Sequence, residues 1–534
     1  MHALCGLHHA KDQPMNTFTG TNADETITPE KVSPTVTTSG QARPSADADT
    51  INAGGGNDVV AGGGGNDIAN LGNGDDTFIW NPGDGSDTVD GQAGFDTLVF
   101  NGSSADEKFN ISANGQHVQL TRDVGNVTMD LNSMERINLA ASGGTDTVNV
   151  NDLSGTDTKT VAVDLSRDKG NGGDRQVDTV TVQGTAGADA VVISGHGNSV
   201  VVSGLAAQTT IDHADKADQL VINTGAGNDT IDASNLGKGH IGLQIIGGTG
   251  NDNITGSDGD DSFVWNPGDG SDTIDGRGGF DTLVFNGASA NEKVDIAAKD
   301  SHVLFTRDVG NITMDLNGIE RIQFAAVGGI DNINVGNLAG TDVQQVAIDL
   351  GAASSGSNPD DTVTVNGTAG NDHIRVAAAG DQVTVNGLPA QVTIDHVEKV
   401  DTLVVQGGAG DDIIDASGMP AAGMQFIVNG GDGNDVLHGG QGNDLLTGGA
   451  GADRFEFSGA NGTDRITDFQ HGLDKIDITG YGGALNKFGD LAGHISQVGA
   501  DTHVDLGGAV AGAGSIVLLN TQMASLSASD FAFK

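Results

Sequence analysis

The sequence predicts an all-β chain, a right-handed parallel β-solenoid, and three observations carry that prediction. Glycine supplies 85 of 534 residues. Short β-branched runs alternate apolar and polar residues between Gly, Asn and Asp turns. The chain also repeats itself at two scales, as arrays of stacked structural units do. Hydrophobic residues make up 36% of the chain and aromatics 4%, so Val, Ile and Leu must build the core in thin layers. The 24 basic and 72 acidic residues leave a net charge of −48. Among the acids, 64 are Asp and 8 are Glu. That bias suits tight turns and short-armed cation ligation more than a merely solubilising surface. A polyanionic chain excludes nucleic acid as a partner. The single cysteine, Cys5, excludes a disulfide framework and a Cys-based zinc site.

The elements follow in chain order. Residues 1–50 are expected to be a disordered extension and leader. The stretch Met1–Pro14 shares nothing with the repeats that follow, although it carries Cys5, His2, His8 and His9. No Sec-type signal is visible there, and no apolar run is long enough for a membrane span. Residues 51–100 hold a first block of nine-residue units of the form G-G-x-G-x-D-x-U-x, U being large and apolar. Residues 246–286 hold a second block and 429–457 a third. In the third block GGDGNDVLH, GGQGNDLLT and GGAGADRFE run in tandem from Gly430 to Glu456. Segments 101–245 and 287–428 lie between the blocks and carry alternating strands without the full motif. They read as further solenoid coils that lack the metal. Asp75–Asn101 matches Asp260–Asn286 at 22 of 27 positions, so blocks and segments belong to one duplicated unit. Residues 458–534 change character and read as a C-terminal β cap.

A nine-residue unit is one turn plus one very short strand, so two units make a coil and residues 18 apart stack. Glycine permits the positive φ and close approach that such stacking needs. Successive turns on one edge then bring Asp carboxylates and turn carbonyls together. A set of hard oxygens without nitrogen or sulfur favours calcium over magnesium or a transition metal.

The nonapeptide resembles the calcium-binding repeat of the RTX (hemolysin-type) family, proteins that are secreted by type I systems and contain parallel β-roll segments. The resemblance implies several Ca2+ ions held between turns by motif carboxylates and backbone carbonyls. Its implied ligands are Asp58, Asp67, Asp76, Asp87, Asp96, Asp252, Asp261, Asp272, Asp281, Asp435, Asp444 and Asp453. Asp229 and Asp412 match the motif but have no tandem neighbour, so they stay outside that set. The region from Gly462 to Phe533 also resembles the C-terminal region of type I secreted proteins. It implies an uncleaved export signal, ending in Asp530-Phe531-Ala532-Phe533, that engages an ABC exporter. Removing Leu526–Lys534 is accordingly expected to block export and leave the fold nearly intact.

The intervening segments repeat Arg122 and Arg307, the pairs Glu135-Arg136 and Glu320-Arg321, and His213 and His396; duplication alone accounts for their recurrence. No catalytic motif is present, and the chain is expected not to be an enzyme. The function expected is that of a secreted, extracellular calcium-binding repeat protein whose folding is driven by calcium. The alternative is a calcium-dependent adhesin or matrix protein that binds a surface polysaccharide or cell surface. A toxin or bacteriocin would need a membrane-active segment, and none is found.

Overall fold

A computed structural model describes residues 15–167, 172–351 and 360–534. Met1–Pro14, with Cys5 and the three histidines, lies outside the described residues. Strands dominate, and the helical elements among the described residues are single turns such as Leu506–Ala509. No helix among them is long and apolar enough to cross a membrane. Contacts divide the chain into two units. One runs to Thr249 and includes Thr255–Asp260; the other is Gly250–Ile254 with Asp261–Lys534.

In the first unit each coil gives one short strand to each of two parallel-rich sheets. One sheet passes from Asn16–Thr19 to Asp49–Gly55, Ile68–Asn73 and Thr88–Ala93. The other passes from Thr26–Ile27 to Val59–Val60, Thr77–Trp80 and Thr97–Asn101. Side chains alternate inward and outward along each strand, as the two-residue period of a strand requires. Phe18, Ile51, Ala69 and Val89 are buried on one side, and Ile27, Val60, Phe78 and Leu98 on the other. The register confirms a coil of 18 residues where Val60 pairs with Phe78, and the Trp80-Asn81 insertion lengthens it to 20 where Phe78 pairs with Leu98. Trp80 then stacks on Phe100 with ring centroids 4.1 Å apart.

Two expectations are corrected here. Residues 15–50 are not all a disordered leader: Asn16–Thr19 and Thr26–Ile27 pair with the first repeat strands, and Glu25 and Asp49 are buried. The apolar residues Phe18 and Ile27, too sparse to read as strands alone, find their partners one coil later. The intervening segments are also not plain coils. Lys108–Asn114, His117–Arg122 and Val127–Asn132 form an antiparallel meander inside the otherwise parallel sheet. Its outer strands pair in parallel with Thr147–Val150 and Thr88–Ala93. A second meander, Ala190–His196 with Ser199–Ser203 and Gln208–Asp212, interrupts the other sheet.

The second unit repeats the plan. Its meanders are Lys293–Lys299 with His302–Arg307 and Ile312–Asn317, and His373–Ala379 with Gln382–Asn386 and Gln391–Asp395. The last repeats stack in 18-residue register, Val428 on Leu446 and Leu437 on Phe455. Beyond them Thr463–Ile466 and Lys475–Asp477 continue the two sheets, and an antiparallel group, Ile495–Val498, Asp501–Asp505 and Ser515–Leu518, completes one of them. The chain end is part of this structure. Phe531–Ala532 pairs with Lys475–Asp477, Phe531 is buried, and buried Asp530 accepts hydrogen bonds from the N–H groups of Gly472 (2.9 Å) and Ser527 (2.7 Å). Leu526–Lys534 is therefore packed into the folded structure, so its removal is expected to affect stability as well as any export.

Candidate metal centre

All twelve sequence-nominated aspartates are buried, none more than 5% exposed. They do not lie free in their turns. The Oδ1 atoms of Asp58, Asp67, Asp76, Asp87, Asp96, Asp272, Asp281, Asp435 and Asp453 each accept a hydrogen bond from a backbone N–H one coil earlier. Asp76 Oδ1 takes the Asp58 N–H at 2.7 Å, Asp87 that of Asp67 at 2.8 Å, and Asp96 that of Asp76 at 2.8 Å. In the second unit Asp272 takes the Asp252 N–H at 2.9 Å, Asp281 that of Asp261 at 2.8 Å, and Asp453 that of Asp435 at 3.0 Å. Ladders of carboxylates thus strap coil to coil in the turns, Asp49–Asp67–Asp87 before the strands of one sheet and Asp58–Asp76–Asp96 before those of the other.

Where the strap is made it uses one oxygen of the carboxylate, and the second has a different fate. Oδ2 of Asp58, Asp67, Asp76, Asp96, Asp435, Asp444 and Asp453 is buried without a hydrogen-bond partner. An unsatisfied buried carboxylate oxygen costs free energy on the order of kilocalories per mole, so its recurrence at turn after turn points to an absent partner. Burial, the largest cause, raises the pKa of these groups, with neighbouring carboxylates adding to it. Asp67 and Asp444 move to about 8, Asp87, Asp96 and Asp272 to about 7, and Asp58 and Asp435 to about 6.

The glycines explain why the pocket beside Oδ2 is open. A methyl group built on Gly62, Gly430 or Gly448 would run into Oδ2 of Asp67, Asp435 or Asp453. One turn on another, Gly72 and Gly74 have positive φ and abut the carbonyl oxygens of Gly54 and Gly56. Gly449 and Gly451 stand likewise over Gly431 and Gly433. Carbonyl and carboxylate oxygens therefore line each stacked turn. Among the described residues no three His, Cys, Asp or Glu side chains converge as a metal cluster. A site here takes its donors from few carboxylates and many backbone oxygens, a set that fits a hard cation of flexible coordination such as calcium.

The ladder also runs where the nonapeptide does not. Asp412 is isolated in sequence but not in space: its Oδ1 accepts from Asp372 N–H at 2.7 Å and its N–H donates to Asp435 Oδ1 at 2.8 Å. Glu135 and Glu320 accept the N–H groups of Asp96 and Asp281, both at 2.7 Å. Asp49, Glu107, Asp146, Asp178 and Asp218 extend the ladder in the first unit, and Glu292, Asp331, Asp361 and Asp401 in the second. The glycine motif misses these residues, but a shorter pattern finds most of them. An Asp two places before a buried apolar residue recurs in Asp146-Thr147-Val148, Asp178-Thr179-Val180, Asp361-Thr362-Val363 and Asp401-Thr402-Leu403. At Glu107 the compensating cation is built in. Buried Arg122 donates from Nε to Glu107 Oε1 at 2.6 Å and packs over the Trp80 ring at 5.4 Å. Arg307 repeats this with Glu292 and Trp265. His213 and His396 hold Asp164 and Asp349 through Nδ1 at 2.9 and 2.6 Å, away from the ladder.

A family comparison finds the same repeats in the sequence. The family model described as RTX calcium-binding nonapeptide repeat (4 copies) matches residues 45–78, 83–99, 221–235, 244–264, 268–284, 404–418 and 429–466. No curated protein matches the chain. Similar solved structures include the AlgE6R3 subunit of the Azotobacter vinelandii mannuronan C5-epimerase. It is 23% identical over 34% of this chain and 82% of that one, with a TM-score of 0.18. The extracellular lipase LipA of Serratia marcescens is 17% identical over 68% of this chain, with a TM-score of 0.18, and the match spans 45% of the lipase. With the motif, the stacked turns and the family match in hand, the chain carries RTX-type calcium-binding nonapeptide repeats within a β-roll architecture.

Proposed function

We propose that this chain is a secreted protein in which calcium drives folding outside the cell. The observation that carries the reading is the repeated buried Oδ2 with no partner, set among turn carbonyls. Asp58, Asp67, Asp76, Asp87, Asp96, Asp252, Asp261, Asp272, Asp281, Asp435, Asp444 and Asp453 would hold the ions. Bound calcium supplies positive charge to a chain of net charge −48. Without it, the carboxylates of adjacent coils repel one another and each must leave water unpaired. At low cytosolic calcium the chain stays open and fit for translocation; at extracellular calcium the coils close. Export through a type I ABC exporter is the route that suits this sequence of events, the region from Gly462 to Phe533 carrying the signal.

Two measurements test the reading. Isothermal titration of the metal-free chain with calcium is expected to show binding of several ions, with magnesium failing to replace them. Fractionation of cells with and without the exporter is expected to find the protein in the medium only when the exporter is present. No calcium binding would end the first half of the reading, and secretion without the exporter the second.

A further inference from the structure

The features that mark the repeat turns recur at two places outside every segment that the nonapeptide model matches. The turn ending in Asp146 contains Gly143 and Gly144 at φ of 105° and 115°, and the turn ending in Asp331 contains Gly328 and Gly329 at 136° and 115°. Each turn lies against the preceding coil. A Cβ on Gly144 would sit 2.6 Å from the carbonyl oxygen of Ala105, and one on Gly329 would sit 2.5 Å from that of Ala290. Asp146 is 1% exposed and Asp331 0%. Their Oδ1 atoms strap the N–H groups of Glu107 and Glu292, both at 2.8 Å, and their Oδ2 atoms are buried without a partner.

One coil on stands another carboxylate. Asp178 Oδ1 accepts the Asp146 N–H at 2.7 Å, and Asp361 Oδ1 accepts the Asp331 N–H at 2.8 Å. In the first unit Asp174 also reaches the turn, taking the Gly144 N–H on Oδ2 at 3.1 Å. The neighbouring Glu107 and Glu292 are each neutralised by a buried arginine. Among the described residues neither Asp146 nor Asp331 has such an ion pair. Burial raises their pKa values to about 8 and about 7, as it does at the repeat turns. The arrangement thus has the buried orphan oxygen, the glycine-opened turn and the stacked second carboxylate, and no arginine forms an ion pair with either Asp146 or Asp331 among the described residues.

We propose that Asp146 with Asp178, and Asp331 with Asp361, each bind one calcium-class divalent cation, so that metal sites continue into the segments between the repeats. The proposal rests on the reading that the repeat turns bind calcium. The duplication carries the site in two different local sequences, GGTDTV and GGIDNI, which keep the glycines and the Asp. These ions would fix the coils that support the antiparallel meanders, where the nonapeptide supplies none.

Native mass spectrometry of the full chain in calcium tests this by counting bound ions. Asp146→Asn and Asp331→Asn keep the Oδ1 strap and remove the charge, so each is expected to lose one ion, and the double variant two. An unchanged count would overturn the proposal. Asp435→Asn serves as the reference. If it too leaves the count unchanged, the calcium reading of the repeats fails; if it alone lowers the count, only the extension fails. Should an Asn variant not fold, anomalous diffraction from calcium-loaded wild-type crystals decides. A calcium peak beside Asp146 Oδ2 is expected, and none there while the repeat turns show peaks would refute the site.

Discussion

The motif aspartate has two tasks, one for each carboxylate oxygen. At Asp453, Oδ1 accepts the N–H of Asp435 in the preceding coil, while Oδ2 is buried without a hydrogen-bond partner and on the proposed reading would hold the cation. The two tasks are separable by substitution at Asp435. Asp435→Asn retains an acceptor for the Asp412 N–H and is expected to raise the calcium concentration at the folding midpoint several-fold. Asp435→Ala removes the strap as well, and should cost about 1 kcal/mol more, the net worth of one hydrogen bond. Denaturation of both variants in saturating calcium measures the difference; equal stability would mean that the strap contributes nothing. Protons compete for the same oxygens. An unfolded aspartate titrates near ~3.9, whereas burial holds Asp58 near about 6 and Asp67 near about 8 in the metal-free fold. The metal-free fold therefore binds more protons than the unfolded chain. Its stability falls as pH rises from about 4 through those folded values, and acidification restores it. Metal-free protein at pH about 5 is expected to show more β structure than at pH about 8, while the calcium midpoint rises on acidification. Circular dichroism at the two pH values checks both, and the opposite trend in either would contradict the burial argument.

At the scale of the element, glycine matters by position. Gly74 and Gly83 both have positive φ, 134° and 106°, but only Gly74 has its Cβ direction filled, by the carbonyl of Gly56 in the coil before. Gly83→Ala should cost only the backbone strain, about 1–2 kcal/mol. Gly74→Ala must also push two turns apart and is expected to lower the denaturation midpoint in calcium clearly further. Similar midpoints would show that close stacking of turns is not what this glycine provides. The chain end makes a second element-scale case. Deleting Leu526–Lys534 strips the partner strand from Lys475–Asp477, with buried Asp530 and Phe531, and is expected to reduce thermal stability in calcium as well as any export. A melting temperature equal to wild type would return that segment to a signalling role alone. Much at this scale was legible in advance. The period of two in strands such as Thr97–Asn101, and the Gly-Gly turn every ninth residue, follow from local chemistry that a sequence displays. The meanders were less legible because Lys108–Asn114 and Thr147–Val150 carry the same alternation, and strand direction within a sheet is set by partners far along the chain. Glu107, Asp146 and Asp331 were missed as members of the ladder because their turns lack the full glycine motif. Only the Asp or Glu two places before a buried apolar residue remains there.

For the molecule as a whole, the two units use a duplicated sequence and reproduce the same devices: the tryptophan stacked on phenylalanine, the buried Arg–Glu pair, two meanders and the acidic ladder. A fold so built has a peculiar balance. Its sheets bury thin apolar layers, while the turns leading into both sheets concentrate carboxylates that the chain's few cations cannot neutralise. On the proposed reading the apolar layers favour closure and the acidic turns oppose it, so that the ion concentration decides the outcome. The central claim is that calcium makes that decision. The direct measurement is far-ultraviolet circular dichroism of the full chain at neutral pH, first freed of metal and then titrated with calcium. The account predicts a largely disordered spectrum in chelator and a cooperative change to a β-rich one as calcium reaches the millimolar range of extracellular sites, with magnesium unable to substitute. A β-rich spectrum in chelator, unchanged by calcium, would contradict it.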